Sequence, residues 1–253
     1  MNILFLFFSI ILLLVGRSGA AELTVCAAAS LSDVFKEIAP LYAKATGDTL
    51  RFNFGSSGAL VRQIKEGAPA DVFVSADEAR VDQLETAGLL LPGTRRVLVA
   101  NALVVVVASD VGAPVKTLAD LGKTVVRRIA IGDPATVPVG TYTKAYLQKT
   151  GDWKKLIDKL VPLDTVRSAL AAVEAGNAEA GFVYKTDALI SKKVKIVLEV
   201  PQAEGLKIVY PAAVLKDAKQ PEAARGLVKF LSGPVAQKIF AQAGFLPPNS
   251  ACE

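Results

Sequence analysis

The chain has 253 residues, of which 52% are hydrophobic and 21% charged, and it contains 29 Lys and Arg, 24 Asp and Glu, and no His. This length is sufficient for one large core or two small domains. Without His, the chain lacks the usual general base and the commonest metal ligand, which argues against most hydrolases and zinc enzymes. The net charge of +5 is not concentrated in any basic run, so the sequence does not indicate a nucleic-acid partner.

The two cysteines, Cys26 and Cys252, are too few for a four-thiolate metal site or an iron–sulfur cluster within one chain. We interpret Cys26 as a buried strand thiol and Cys252 as an incidental thiol near the end of the chain. A disulfide between them stays open as an alternative in an oxidising compartment.

The first residues have the pattern of an export signal. Residues 3–15 (ILFLFFSIILLLV) form an apolar run that is too short to cross a bilayer as a helix. Small residues follow, so residues 1–21 are interpreted as a signal peptide cleaved after Ala20 or Ala21, although no Lys or Arg precedes the apolar run. An uncleaved membrane anchor is the alternative. The sequence therefore predicts a periplasmic protein.

Short apolar runs then alternate with helical patterns. Strands are predicted at residues 23–29, 50–54 and 71–75, each followed by apolar residues at helical spacing. Three such units in succession predict a parallel, doubly wound α/β sheet.

A long β-forming run at residues 96–109, with Asn101 near its middle, is predicted to carry the chain into a second α/β unit. That unit is predicted to contain a short helix at residues 118–121 and two longer helices at residues 141–149 and 166–175. Its predicted strands are at residues 128–132 and 180–184. Residues 208–215 then cross back, and residues 221–243 supply helices broken at Gly233-Pro234. We expect lobe I at residues 22–99 and 212–253, lobe II at residues 100–211, and a cleft between the lobes.

Ligands of open α/β sheets bind at the carboxyl ends of strands, so the strand-to-helix turns are the candidate site. The first amides of a helix lack intrahelical acceptors, and together with serine hydroxyls they suit an oxyanion. The turns with this chemistry are residues 29–32, 55–58, 138–141 and 164–166. Tyr184, at the end of a predicted strand, offers a further hydroxyl donor, unless it is a buried tyrosine satisfied elsewhere.

Each turn also has a purely structural explanation. Ser30 is compatible with a capping box that includes Asp33, and Ser57 with an ordinary turn. Thr165 or Asp164 is compatible with a cap on the helix that starts at Val166. The functional interpretation rests on the division of these turns between the two predicted lobes.

The sequence around these turns resembles the periplasmic molybdate-binding proteins, the solute receptors of molybdate ABC transporters. The resembling segments are TVCAAASL (24–31), FGSSGALVRQIKEGAPADVFVSAD (54–77), NALVVVV (101–107), IAIGDPATVPVGTYTKAYLQ (129–148), DTVRSALAAVEAGNAEAGFVYKTDA (164–188) and FLSGPVAQKIFAQAGF (230–245). They span essentially the whole chain after the signal. The resemblance implies a two-lobed, type II-like periplasmic-binding-protein fold of the α/β class, with the ligand in the cleft.

The resemblance also implies a contact set for a bound molybdate or tungstate. It places ligand donors at the hydroxyls of Ser30, Ser57 and Tyr184 and at the main-chain N–H groups of Val139 and Val166. These groups would reach the metal only through the oxygens of the oxyanion, and no cofactor is expected. Ser56 is the alternative to Ser57. The implied partner is the transmembrane permease subunit of the transporter, and the receptor is expected to be a monomer whose lobes close around the ligand.

Two other functions remain open at this stage. A sulfate receptor of the same architecture is the nearest alternative, because sulfate is also a tetrahedral dianion and differs mainly in size. A phosphate receptor benefits from a carboxylate acceptor, and no acid falls on the implied contact positions. The distant alternative is an exported serine hydrolase, but no Ser-x-x-Lys pattern and no G-x-S-x-G elbow surrounds Ser57 or Ser30.

Overall fold

The computed structural model describes residues 20–110, 115–201 and 206–248. The apolar run of the predicted signal peptide and Cys252 lie outside these residues. The described strands are β1 Glu22–Ala28, β2 Thr49–Gly55, β3 Val72–Val74, β4 Arg96–Ala100, β5 Leu103–Ala108, β6 Ile129–Gly132, β7 Leu160–Leu163, β8 Ala180–Tyr184, β9 Val194–Glu199 and β10 Val209–Val214. The described α-helices are α1 Ser32–Thr46, α2 Ser57–Lys65, α3 Glu78–Thr86, α4 Pro138–Lys149, α5 Trp153–Leu156, α6 Val166–Glu174, α7 Lys185–Leu189, α8 Pro221–Leu231 and α9 Pro234–Gln242.

The first sheet has the strand order β2-β1-β3-β10-β4. Strands β2, β1 and β3 are parallel, as the successive strand–helix units predict, but β10 runs antiparallel to both β3 and β4. The expectation of a parallel sheet is therefore wrong for this strand. Strand β10 comes from the far end of the chain and enters without a crossover helix, so the rule that makes consecutive units parallel does not apply to it.

The second sheet has the order β7-β6-β8-β5-β9. Its strands β6, β7 and β8 are parallel, whereas β5 is antiparallel to both of its neighbours, β8 and β9. Each sheet thus combines four strands that run in one direction with one strand that runs in the opposite direction, β10 in the first sheet and β5 in the second. Both sheets are mixed, and helices pack against them, as expected of an α/β fold.

The long β-forming run divides between the two sheets at Asn101. Strand β4 ends at Ala100 in the first sheet, and β5 begins at Leu103 in the second. The backbone N–H of Asn101 donates to the carbonyl of Ile208, at 3.0 Å, just before β10 returns to the first sheet. The two connections between the sheets are therefore hydrogen-bonded side by side at this point.

Several elements are not anticipated by the sequence pattern. Strand β7 contains Pro162 and lies at a sheet edge, where a missing N–H is tolerated. Helix α4 begins at Pro138 rather than at Thr141, because proline is well suited to the first turn of a helix. Strand β9 and the five-residue helix α7 are too short or too polar for their apolar residues to show a repeat that predicts a strand or a helix.

The helices near the end of the chain pack on the first sheet, with α8 against β10 and α9 against α1 and β4. Cys26 is a buried free thiol in β1, as predicted, and burial raises its pKa. In the described part of the chain, no helix combines the length and the apolar character that a bilayer-spanning segment requires.

Candidate functional site

A small cavity lies between the carboxyl ends of the parallel strands of the two sheets. Its lining comes from the turns after β1, β2 and β3 on one side and after β6, β7 and β8 on the other. The lining residues are Ala28, Ala29, Ser30, Gly55, Ser56, Ser57, Ala76, Val137, Pro138, Val139, Thr165, Val166 and Tyr184. All five residues of the implied contact set are therefore in this one cavity.

Ser57 is the first residue of α2 and is completely buried. Its Oγ accepts a hydrogen bond of 3.1 Å from the backbone N–H of Ala76, which follows β3. Because a hydroxyl has one proton and this bond uses only a lone pair, the proton of Ser57 is available to another acceptor. Ser56 also lines the cavity and occupies the N-cap position of α2, but its side chain forms no capping bond.

Ser30 lies in the 3-10 turn that joins β1 to α1, and its side chain is buried. The capping interpretation is wrong for Ser30, since no side chain caps this turn or α1. Its Oγ instead lies 3.1 Å from the hydroxyl oxygen of Tyr210, a buried residue of β10. The side chain is thus held by the sheet rather than by its own helix.

The second sheet contributes helix N-termini. Val139 is the second residue of α4, and Val166 is the first residue of α6. Amides at these positions have no intrahelical acceptor and lie at the positive end of the helix dipole. The predicted cap on α6 is confirmed for Thr165, whose Oγ1 accepts from the N–H of Ser168 at 3.0 Å.

Tyr184 ends β8, and its hydroxyl is buried without a hydrogen-bond partner among the described residues. Burial raises the pKa of Tyr184 well above its ordinary value, so the hydroxyl stays protonated and can donate. A buried hydroxyl that lacks a partner costs free energy, roughly 1–3 kcal/mol. This donor faces a cavity in which an acceptor would satisfy it.

No charged side chain lines the cavity within the described ranges. The guanidinium of Arg167 contacts one of the lining residues, because it donates from Nη2 to the carbonyl oxygen of Ser30 at 3.3 Å. It is paired with two acids, with Nη2 at 2.7 Å from Asp33 Oδ2 and Nε at 2.7 Å from Asp187 Oδ1. Asp187 is fully buried; burial raises its pKa to about 7, an effect that Arg167 opposes.

The two sides of the cleft are in direct contact. The backbone N–H of Gly58 in α2 donates to the carbonyl of Thr136 at 3.0 Å, and Arg80 Nη2 donates to the carbonyl of Ala135 at 2.8 Å. A Cβ on Gly58 would lie 2.5 Å from the Thr136 oxygen, so only glycine permits this approach. Together with the ion pair between Arg167 and Asp33, these contacts show the cleft in a closed conformation.

Sequence reasoning did not identify three neighbours of the cavity: Tyr210, Asn101 as a side-chain partner, and Arg167. Tyr210 lies in an apolar strand, where a tyrosine is ordinarily a core residue, and Arg167 follows a helix start like any surface arginine. Asn101 did carry a signal, because a polar residue in the middle of an apolar run needs a buried partner. That partner could not be named without the fold.

The protein has two mixed sheets with helices packed against them, and a small cavity with uncharged donors lies between the ends of their strands. This arrangement defines a two-lobed receptor for a small solute. Comparison with known proteins agrees with this class. The chain belongs to the family of bacterial extracellular solute-binding proteins, whose family model matches residues 23–246.

Relatives with named functions cover most of the chain. It is 42% identical over 224 residues to a Bacillus subtilis protein described as a candidate ABC transporter substrate-binding lipoprotein, YvgL, covering 88% of this chain and 85% of the relative. It is 40% identical over 233 residues to the molybdate-binding protein ModA of Escherichia coli, covering 88% of each chain. The solved periplasmic molybdate-binding protein of Azotobacter vinelandii superposes with a TM-score of 0.81 at 29% identity, covering 89% of this chain and 99% of that one.

Proposed function

We propose that this protein is a high-affinity receptor for molybdate, and for the similar oxyanion tungstate, that delivers the ion to an ABC transporter. The single observation that carries this proposal is the buried hydroxyl of Tyr184, which has no hydrogen-bond partner among the described residues and lies in a cavity whose lining includes serine hydroxyls and helix N-termini. Relatives that are named as molybdate-binding proteins support the choice of ion.

The proposed contacts are the hydroxyls of Ser30, Ser57 and Tyr184 and the main-chain N–H groups of Val139 and Val166. All of these groups donate, which suits an ion whose oxygens carry no proton. Because no cation balances the charge in the cavity, the dianion is held by hydrogen bonds and helix dipoles alone. Such a site favours a fully deprotonated oxyanion, and the relatives named as molybdate-binding proteins support molybdate rather than the smaller sulfate.

We further propose that each sheet with its helices moves as one lobe. Lobe I, expected at residues 22–99 and 212–253, then also includes Ala100 and residues 209–211, because β4 and β10 are strands of the first sheet, and lobe II lies between them in the chain. The connections that meet near Asn101 would then form the hinge. An open, unliganded form would separate Gly58 from Thr136 and would expose the hydroxyl of Tyr184 to water. The closed form is the one that the permease subunit of the transporter would recognise, and a monomer is sufficient for this role.

Export is part of the same proposal, with the receptor released into the periplasm after cleavage. Ala21 is buried, and its N–H donates to Asp48 Oδ1 at 2.9 Å. Cleavage after Ala20 rather than after Ala21 keeps this residue and places the new amino terminus beside a carboxylate. The mass of the secreted protein would distinguish the two sites.

Calorimetric titration of the purified protein with molybdate, tungstate, sulfate and phosphate tests the function. We expect one site that binds molybdate and tungstate tightly and the other two ions much more weakly. Tighter binding of sulfate would favour the alternative receptor, and no heat with molybdate would refute the proposal. We expect no turnover of generic esters or amides, and observed hydrolysis would favour a serine enzyme.

The variant Tyr184→Phe tests the observation itself, because it removes the hydroxyl and keeps the ring. We expect roughly tenfold or greater loss of molybdate affinity, as for a hydrogen bond to a charged acceptor. The thermal stability of the ligand-free protein should not fall, because the lost hydroxyl has no partner among the described residues. Unchanged affinity would exclude Tyr184 from the site.

A further inference from the structure

A buried chain of hydrogen bonds leads from the connection between the two sheets to Ser30. The side-chain amide of Asn101 donates from Nδ2 to Tyr210 Oη at 3.3 Å, and Tyr210 Oη lies 3.1 Å from Ser30 Oγ. All three side chains are buried, with exposed fractions of 4%, 0% and 4% in that order. Polar groups buried in this way are ordinarily arranged so that every proton has an acceptor.

The direction of each proton in this chain follows from counting donors and acceptors. The Oδ1 of Asn101 accepts from the backbone N–H of Ala102 at 2.9 Å, which fixes the amide with its NH₂ group towards Tyr210. The second proton of that NH₂ goes to Thr186 Oγ1 at 2.9 Å. Since Asn101 Nδ2 has no lone pair to offer, Tyr210 Oη must accept from it and cannot donate back.

The proton of Tyr210 then has one described acceptor within hydrogen-bond distance, Ser30 Oγ. Burial raises the pKa of Tyr210, so this proton remains in place. A serine hydroxyl that accepts from Tyr210 keeps its own proton for another acceptor, and Ser30 lines the cavity. The hydroxyl of Ser57 likewise accepts a hydrogen bond and keeps its own proton, but its donor is the backbone N–H of Ala76.

We propose that Asn101 and Tyr210 are positioning residues that orient the hydroxyl of Ser30 with its proton towards the cavity, which makes Ser30 an obligate donor to the bound ion. The proposal deepens the function proposed above and depends on it for the identity of the ion. It also assigns a selectivity role to residues that do not line the cavity. A protonated oxyanion such as monohydrogen phosphate needs an acceptor, and this relay disfavours one at Ser30, because it occupies one lone pair of the hydroxyl and turns the proton towards the ion.

A double-mutant cycle on the intact protein tests the relay through molybdate affinity. Tyr210→Phe removes only the hydroxyl and keeps the aromatic ring. That ring packs edge-on against the rings of Tyr184 and Phe245, with centroid distances of 5.9 Å and 5.4 Å. We expect this variant to weaken molybdate binding roughly three- to tenfold in the wild-type background. In a Ser30→Ala background, the same change should have less than a twofold effect, because no hydroxyl remains to be oriented.

The cycle of Tyr210→Phe with Ser57→Ala is the matched control, and there the two effects should multiply. An equal loss in the wild-type and Ser30→Ala backgrounds would show that Tyr210 only supports the structure, and it would overturn the proposal. No loss in either background would overturn it as well. The ratio of molybdate to phosphate affinity adds an independent readout. It should fall in Tyr210→Phe, because the hydroxyl of Ser30 is then free to turn its proton away from the cavity and to accept from the ion.

A neutron structure of the deuterated, ligand-free protein locates the same proton without reference to any ion. We expect the deuteron on Tyr210 Oη to point at Ser30 Oγ. A deuteron on Ser30 that points at Tyr210 would overturn the relay. This measurement separates the two proposals, since a protein that shows the relay but does not bind molybdate would refute only the proposed ligand.

Discussion

The two sides of the cleft present their donors in different ways. On the side of the first sheet, Ser30 and Ser57 present side-chain hydroxyls, each held by a hydrogen bond to a second protein group. On the side of the second sheet, Val139 and Val166 present backbone amides at helix starts, and Tyr184 presents a hydroxyl with no described partner. One side is therefore specified by side-chain identity and the other mainly by backbone conformation. Substitutions on the two sides should have very different effects on binding.

The largest expected effect is that of Ser57→Ala, on the side of the first sheet. It removes a donor to the ion and also leaves the N–H of Ala76 without its acceptor. A loss of roughly 1.5–3 kcal/mol is expected for a charge-assisted bond, which is about ten- to a hundredfold in affinity. Calorimetric titration with molybdate measures it. Ser56→Ala is the matched control in the same cavity. A larger loss of affinity for Ser56→Ala than for Ser57→Ala would mean that Ser56, and not Ser57, donates to the ion.

A somewhat smaller effect is expected where the two sides touch. Gly58→Ala places a Cβ 2.5 Å from the carbonyl oxygen of Thr136, so it opposes closure directly. We expect affinity to fall roughly tenfold, at the level of an overpacked contact, while the melting temperature of the ligand-free protein changes little. Gly122→Ala, at a glycine with open space around its Cβ position, is the control. Equal affinities for the two variants would mean that this contact does not form on binding.

A modest effect is expected from the ion pair across the cleft. Asp33→Asn removes the partner of Arg167 on α1 but leaves the buried Asp187 in place. Because Asp33 is half exposed, the pair is worth only roughly 0.2–1 kcal/mol, or up to about fivefold in affinity, and less at high salt. Titrations at two salt concentrations measure it. Asp152→Asn breaks a pair with Lys155 within one side of the cleft and should leave affinity unchanged.

The smallest effect is expected on the backbone side. Val139→Ala leaves the N–H at the start of α4, so molybdate affinity should change less than twofold. The side chain is fully buried, and the melting temperature should fall because the truncation leaves a cavity. Titration well below the melting temperature separates the two quantities. A tenfold loss of affinity would show that the side chain itself contributes to the site, which would contradict the division between the two sides.

The sequence predicted well those features that depend on local pattern. The strands at β1 and β8, the serine turns and the change of sheet near Asn101 all follow from apolar runs interrupted by polar or small residues. The antiparallel direction of β10 was not predicted, because strand direction depends on which part of the chain is its neighbour in space. The same limit applies to Tyr210 and Asn101, whose importance lies in contacts between residues 109 and 180 positions apart along the chain.

The absence of charge among the residues that line the described cavity has a consequence for unloading the receptor. No ion pair between the solute and a lining side chain has to be broken for the solute to leave, and the ion pair of Arg167 with Asp33 across the cleft is half exposed and weak. The groups that bind the solute are divided between the two sides of the cleft. Separation of the two sides would remove about half of the hydrogen-bond donors from the solute in a single motion. A transporter that pries the receptor open could therefore convert a tight complex into a weak one by mechanical work alone, without a change of pH or a competing ion.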